Sequence, residues 1–247
     1  MRIGDYTIER ELRTESTGAV YEGVHLVLPR RAALEVPRPD KKVQLLRQAC
    51  ILEALSHPGV PRIYECGVLA DKRPWVATEL IDGTPLSDDT PIAITDLAMV
   101  VRSVGDILAH AHARGVVHHR LGEAVVLLTP RRLSPVTVRG WGDVVARDSL
   151  LAAEPSSDIR SLGAIAYRTV TGSALTPGAS AQMMCPEAPG ELTKLIDDML
   201  AGEPPSAVEV CERIDWLGET LAHPTRARGR AKHPRAGTNG FAVRIRG

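Results

Sequence analysis

The feature that most constrains the fold is a change of hydrophobic periodicity near residue 82. Before this point, short segments alternate apolar and polar residues with a period of two, which is typical of strands. A single helix, predicted at about 43–55, interrupts them. After Asp82-Gly83, apolar residues recur every three or four positions, which indicates helices. The sequence therefore predicts an α+β protein, with a small sheet followed by a mainly helical part.

Individual elements follow from the same patterns. In the first part we expect strands at residues 6–12, 20–24, 32–36, 62–66 and 75–80. In the second part we expect helices at about 95–113, 157–170, 192–200 and 207–217, and short strands at 125–128 and 136–138. Aromatic residues are only 3% of the chain, with Phe241 as the single Phe, so the core must consist mainly of Leu, Val, Ile and Ala.

Charge is unevenly distributed along a chain whose formal net charge is zero. The segment 223–247 holds seven of the 30 basic residues and no acidic one, so the remaining body combines 23 basic with 30 acidic residues. The Pro, Gly and Arg content of segment 223–247 predicts that this segment is a disordered tail. Its candidate contact residues for an acidic partner or for nucleic acid are Arg226, Arg228, Arg230, Lys232 and Arg235. Phe241 is its only aromatic residue, which argues against a specific binder of single strands.

Cysteine usage and hydropathy predict a location. The four cysteines form no CxxC pair, so we expect free, buried thiols. No apolar run approaches the length of a transmembrane helix, and the first residues contain no signal-peptide core. Together these features predict a cytoplasmic protein without membrane contacts.

Six short strings occur in an order and spacing that resemble the bacterial Ser/Thr protein kinase family. The strings are Gly18-Ala19-Val20-Tyr21, Leu55-Ser56-His57-Pro58, Ala77-Thr78-Glu79-Leu80-Ile81-Asp82-Gly83, His112-Ala113-Arg114-Gly115-Val116-Val117-His118, Asp158-Ile159-Arg160-Ser161-Leu162-Gly163 and Tyr167 with Thr171-Gly172. The resemblance covers about residues 4–217 and implies a bilobal protein kinase-like fold. Residues 1–82 would form an N-lobe with a small antiparallel sheet and one helix, residues 83–222 a mainly helical C-lobe, and residues 223–247 the tail.

The resemblance also locates the positions that phosphoryl transfer requires. Glu35 stands where the family has a phosphate-binding lysine, and Gln48 stands where its glutamate partner belongs. Two unit charges about 4 Å apart interact by roughly 4 kcal/mol at an effective dielectric of about 20. Glu35 therefore turns an attraction for ATP into a repulsion, but a hydrogen bond to Gln48 would still dock strand and helix.

The catalytic loop is altered in the same way. Arg120 stands at the position of the catalytic base, and a shift of the match by one residue places Leu121 there instead. Gly122 replaces a lysine, while Val125 and Gly140 replace the two metal ligands. Magnesium prefers oxygen ligands, which neither side chain offers. Asp143 is close in sequence, but it lies three residues beyond the required place.

The glycine loop retains only its third glycine, Gly18, because Arg13 and Glu15 occupy the other two places. Side chains there hinder the close approach of phosphates to the backbone, so a plain hairpin turn is the favoured interpretation. If an adenine pocket persists, the resemblance assigns to it Gly18, Val20, Ala33, Thr78, Glu79 and Leu80.

Two further clusters allow alternative interpretations. His110, His112, His118 and His119 could bind a metal ion, but residues two apart on a helix point in different directions, which favours structural roles. Arg120 and Arg139 would lie near the cleft opposite Glu35, and either could pair with it or extend separately into solvent.

The sequence thus predicts a pseudokinase, a catalytically inactive kinase-like domain that acts in signalling as a scaffold or allosteric regulator. No cofactor or metal is expected, and the partner would be a protein, either an active kinase or another signalling protein. The surface around the helix at 43–55 is the candidate docking site. The alternatives are an atypical Ser/Thr kinase, a metal-independent nucleotide-binding switch, and an adaptor that binds nucleic acid or an acidic partner through its tail.

Overall fold

The computed structural model describes residues 1–14, 17–87, 92–141, 145–146, 154–176 and 178–222. Glu15, Asp143 and the tail candidates lie outside these residues, so the expectations for them stay predictions.

An antiparallel six-stranded sheet forms the first part of the chain, with the order β1-β2-β3-β4-β6-β5. Its strands are β1 Arg2–Ile3, β2 Tyr6–Thr14, β3 Gly18–His25, β4 Arg31–Pro37, β5 Ile63–Val68 and β6 Pro74–Glu79. Helix α1, Lys42–Leu55, packs on this sheet through Leu45 and Ala49, which contact Val76 of β6. The predicted sheet with one helix is present, and only the two-residue β1 lacked a sequence signal because it is too short to show a period.

The second part is mainly helical, as the periodicity predicted. Its helices are α2 Ile94–His112, α3 Pro155–Thr171, α4 Ala181–Met184, α5 Gly190–Leu200 and α6 Ala207–Ala222. Its short strands are β7 Thr84–Pro85, β8 Val116–Val117, β9 Val126–Leu128, β10 Val136–Val138 and β11 Val145–Ala146. They form a three-stranded sheet, β10-β9-β7, and a two-stranded one, β11-β8.

The largest core lies in this helical part. The buried stripe of α2 includes Val100, Val101 and Val104, each with no exposed surface, and α2 packs against α3 and α6. Aliphatic side chains dominate this core, and Trp141 and Tyr167 are its large aromatic members. The scarcity of aromatic residues therefore leads to the aliphatic core that composition predicted.

All four cysteines are free, but only two of them are buried. Cys185 and Cys211 are buried as predicted, whereas the prediction is wrong for Cys50 and Cys66, which are exposed. Cys50 lies on the outer face of α1, and Cys66 lies on the edge strand β5. In the part of the chain that the structure describes, no helix is long and apolar enough to cross a membrane.

Two histidines connect the end of α1 to α2. His57 Nδ1 accepts a hydrogen bond from Gly59 N at 3.0 Å, and His57 Nε2 lies 3.3 Å from Asp106 Oδ2. His110 Nε2 contacts Leu55 O, and the two imidazole rings are 4.9 Å apart. Burial lowers the pKa of His57 below 6.5, and Asp106 only partly opposes this effect.

We expect this lowered pKa to make folding stability depend on pH. Below pH 6.5 the unfolded chain binds a proton at His57 more readily than the folded chain, so the free energy of unfolding falls as pH falls towards the lowered pKa. A His57→Asn variant, which retains an acceptor for Gly59 N, should show a weaker dependence between about pH 7 and 5 in urea unfolding. Identical pH dependence in the variant and the wild type would contradict this assignment.

Candidate functional site

A buried carboxylate near the start of α3 organises the loop that follows β8. Asp158 has no exposed surface. Its Oδ2 accepts from His118 N at 2.8 Å and lies 2.9 Å from His112 Nε2, while its Oδ1 accepts from His119 N at 2.8 Å. His119 has a φ of 66°, a conformation that side chains rarely adopt, so the loop needs these bonds to keep its shape.

The His118 side chain continues this network towards the segment after β10. Its ring packs edge-on against Trp141 at 4.7 Å between centroids, and its Nε2 lies 3.0 Å from Arg139 O. Trp141 Nε1 donates to Val138 O at 2.8 Å. Hence the rings of His112 and His118 have structural partners, whereas His119 Nε2 is buried without a hydrogen-bond partner. No group of three metal-ligating side chains occurs among the described residues.

A first cavity of about 320 Å³ lies between the six-stranded sheet, α1 and the Asp158-supported loop. It is lined by five of the six positions where the resemblance expects the lysine, its glutamate partner, the catalytic-loop residues and the metal ligands: Glu35, Gln48, Arg120, Val125 and Gly140. The sixth, Gly122, is not among its lining residues. Most positions that the resemblance assigned to phosphate binding, to the catalytic base and to the metal ligands therefore line a single cavity.

Glu35 and Gln48 join strand β4 to helix α1 inside the first cavity. Gln48 Nε2 donates to Glu35 Oε2 at 3.2 Å, and both side chains are half-buried. The predicted hydrogen bond is thus present. It connects sheet and helix without a lysine, because an amide can donate to a carboxylate as an ammonium does.

Four cationic side chains also line the first cavity: Arg13, Lys41, Arg120 and Arg139. The sequence pattern identified Arg120 and Arg139 as cleft residues but gave no role to Lys41, which precedes α1. Glu35 lies in the same cavity as both predicted arginine partners, and the ion pair itself stays a prediction.

The two positions for metal ligands do not suit magnesium. Val125 and Gly140 carry no side-chain oxygen, and magnesium requires oxygen ligands. Gly140 has a φ of 86°, and a Cβ atom there would lie 3.2 Å from Val125 Cγ1. Any side chain at residue 140 would therefore meet backbone strain together with a tight contact.

A second cavity, of about 820 Å³, contains four of the six residues assigned to an adenine pocket: Ala33, Thr78, Glu79 and Leu80. The Glu79 carboxylate is held there by Arg132, whose Nη2 donates to Glu79 Oε2 at 3.0 Å. This pair joins residues 53 apart in sequence, so no local pattern could reveal it.

The other two pocket residues have structural surroundings. Val20 is buried opposite Glu35 in the β3–β4 ladder and does not line the second cavity. Gly18 lines a separate small cavity, and a Cβ atom there would lie 2.2 Å from Val36 O. Close packing of β3 against β4 therefore accounts for the one retained glycine of the loop.

We predict that Asp158→Asn lowers the free energy of unfolding by about 2 kcal/mol or more, because its amide group cannot accept at both oxygen positions and leaves a buried N–H unsatisfied. The matched control is Asp215→Asn, an exposed carboxylate that pairs with Arg102 Nε at 2.8 Å. It should cost less than about 1 kcal/mol. Equal losses in urea unfolding would contradict the role given to Asp158.

Comparisons with known proteins agree with this geometry, although no family model matches the sequence. The chain is 27% identical over 205 residues to the serine/threonine-protein kinase Pkn1 of Myxococcus xanthus. This match covers 70% of this chain and 29% of Pkn1. It is 26% identical over 203 residues to the kinase PknA of Mycobacterium tuberculosis. This match covers 68% of this chain and 47% of PknA. The chain thus spans less than half of either relative.

Among solved structures, the kinase domain of Mycobacterium tuberculosis PknI superimposes with a TM-score of 0.67 and 20% sequence identity. The match covers 89% of this chain and 97% of that domain. The bilobal arrangement, with an antiparallel sheet beside a helical part, is therefore the fold of a protein kinase domain. The chain has the fold of a protein kinase domain, and its sequence is similar to those of bacterial Ser/Thr protein kinases.

Proposed function

We propose that this chain is a pseudokinase, a kinase-like domain without phosphoryl transfer that acts in signalling through protein–protein contact as a scaffold or allosteric regulator. The observation that carries this proposal is the hydrogen bond from Gln48 to Glu35. It occupies the place where the related kinases use a lysine and a glutamate. Strand and helix stay docked in this way, but the group that attracts phosphate has been replaced by one that repels it.

The remaining chemistry supports the same conclusion. A kinase base must accept a proton from the attacking hydroxyl group, and the guanidinium group of Arg120 offers only donors and no acceptor. Val125 and Gly140 offer no oxygen to magnesium. With base and metal ligands both replaced, the described residues of the cleft contain no route for phosphoryl transfer.

The direct test is a phosphoryl-transfer assay on the full chain, with labelled ATP, magnesium or manganese, and a generic protein substrate as well as the chain itself. We expect no transfer above that of a heat-denatured sample. Transfer that persists through purification and is abolished by Arg120→Ala would contradict the proposal. The Arg120→Ala variant separates activity of this chain from that of a contaminating kinase.

The outer face of α1 supports a role in binding. Val43 is 78% exposed and Leu46 is 46% exposed, and both lie outside the buried stripe of the helix that includes Leu45 and Ala49. Apolar side chains exposed in this way are candidate contact residues for a protein partner, such as an active kinase.

We predict that the chain changes the rate of an active Ser/Thr kinase of its own organism, and that Val43→Glu with Leu46→Glu reduces this change about tenfold or more, because charges in an apolar contact must be desolvated. The measurement is the kinase rate as a function of added chain. A control variant, Val208→Glu, alters a residue of α6 that is 54% exposed. Equal effects of both variants would contradict a docking role for α1.

Two other functions remain as candidates. An atypical Ser/Thr kinase is favoured by the names of the relatives, and the transfer assay decides it. A nucleotide-binding switch is favoured by the second cavity, which retains Ala33 and Thr78 beside the apolar Leu12 and Leu127. The proposed role of the basic tail in binding nucleic acid or an acidic partner falls outside the described residues.

A further inference from the structure

Helix α6 exposes an acidic face on the outside of the helical part. Its inner face packs against α2 and belongs to the largest core. Four exposed carboxylates lie on the rest of its surface: Glu209, Glu212, Asp215 and Glu219. The helix has one basic residue, Arg213, whose Nη1 pairs with Asp198 Oδ2 at 2.8 Å. With four acidic residues against one basic residue, α6 presents a negative potential to solvent.

Two of these four carboxylates have structural roles. Asp215 Oδ1 accepts from Arg102 Nε of α2 at 2.8 Å, and Glu209 Oε2 accepts from Ser206 N at 2.7 Å at the start of the helix. Glu212 and Glu219 form no ion pair with any residue that the structure describes. They are seven positions apart, which is about two helical turns, so both lie on the same side of α6.

An exposed tryptophan lies between these two carboxylates on the helix surface. Trp216 follows Glu212 by four positions and precedes Glu219 by three, and it is 49% exposed. Val208, which is 54% exposed, lies one turn before Glu212. A guanidinium group pairs with carboxylates and stacks on the face of an indole ring. The stripe Val208-Glu212-Trp216-Glu219 therefore suits a segment rich in arginine.

The segment that follows α6 in sequence has this complementary composition. Residues 223–247 begin directly after the helix and contain seven cations and no acidic residue. Five of the cations lie close together: Arg226, Arg228, Arg230, Lys232 and Arg235. The C-terminal end of a helix carries a partial negative charge, which also favours cations at this place.

The tail is long enough to turn back along the helix. An α-helix rises about 1.5 Å per residue, so the stripe from Val208 to Glu219 is about 17 Å long. Residues 223–235 can span up to about 43 Å when extended. Because the tail is joined to α6, its effective concentration at the stripe is in the range of about millimolar, so contacts that are individually weak suffice for docking.

From this arrangement we propose that residues 223–235 turn back and bind the outer face of α6, with their cations on Glu212 and Glu219 and a guanidinium group on Trp216. The occupant of this face is thus a segment of the same chain. Docking of this kind neutralises an acidic surface and covers an exposed indole ring. The inference is independent of the presence or absence of phosphoryl transfer.

The test is quenching of tryptophan fluorescence by acrylamide in the full chain. The protein has three tryptophans, and Trp75 and Trp141 are only 5% and 1% exposed, so Trp216 determines the quenching. Acrylamide is neutral, so changes in protein charge do not alter its local concentration. We expect the Stern–Volmer constant to rise about twofold between about 0.1 M and 1 M NaCl, because the Debye length falls from about 10 Å to about 3 Å and the tail is released.

A tail variant tests which charges are responsible. It carries Arg226→Ser, Arg228→Ser, Arg230→Ser, Lys232→Ser and Arg235→Ser. We expect it to show the high-salt constant already in about 0.1 M NaCl. The matched control removes five exposed cations outside α6 and the tail, and it should behave as the wild type does. Its substitutions are Arg2→Ser, Arg47→Ser, Arg62→Ser, Lys72→Ser and Arg131→Ser.

An exchange of charges tests direct contact. Glu212→Lys with Glu219→Lys should release the tail, and replacement of the five tail cations by glutamate in that background should restore protection of Trp216. Melting temperatures check that each variant is folded, and the salt titration of the wild type needs no variant.

Equal quenching of the wild type and the tail variant in about 0.1 M NaCl would overturn the inference. So would failure of the charge exchange to restore protection. Protection that increases with chain concentration would overturn it in favour of docking between two copies. Protection that appears only after an oligonucleotide is added would overturn it in favour of a tail that binds nucleic acid.

Discussion

The carboxylate of Asp158 determines the path of the loop after β8, and the first cavity depends on that loop. Two consecutive backbone N–H groups and the His112 imidazole converge on this buried charge. A buried carboxylate is stable only when such partners are complete, so removal of any one of them destabilises the others. None of these contacts involves the side chain of Arg120. The framework can therefore persist while the residue at the base position changes.

Across the cleft, the resemblance to the kinase pattern indicates that charges are exchanged rather than merely lost. Strand β4 carries Glu35 where the family pattern has a cation, and the loop carries Arg120 where it has an acid. An exchange of this kind preserves opposite charges on the two lobes, which still favours their approach. It also reverses what each lobe presents to a ligand. Under the proposed function, the cleft lacks the groups that activate a hydroxyl.

The sequence predicted the fold well because long periodic segments such as α2 and β3 have strong local signals. The Glu35–Gln48 hydrogen bond was also predicted, because the resemblance matches these two positions to an ion pair of the kinase family. Other features depend on tertiary contacts. The Arg132–Glu79 pair joins segments that are distant in sequence, and so does the first cavity, which Lys41 helps to line. The exposure of Cys50 depends on which face of α1 meets the sheet.

In the proposed function, the kinase framework is intact and phosphoryl transfer is absent because specific positions are replaced. The most direct measurement compares magnesium-dependent ATP turnover of the wild type with that of a variant carrying Glu35→Lys, Gln48→Glu, Arg120→Asp, Val125→Asn and Gly140→Asp, with the melting temperature of each as a check of folding. We expect no turnover by the wild type and measurable turnover by the folded variant. Turnover by the wild type that equals or exceeds that of the variant would contradict it.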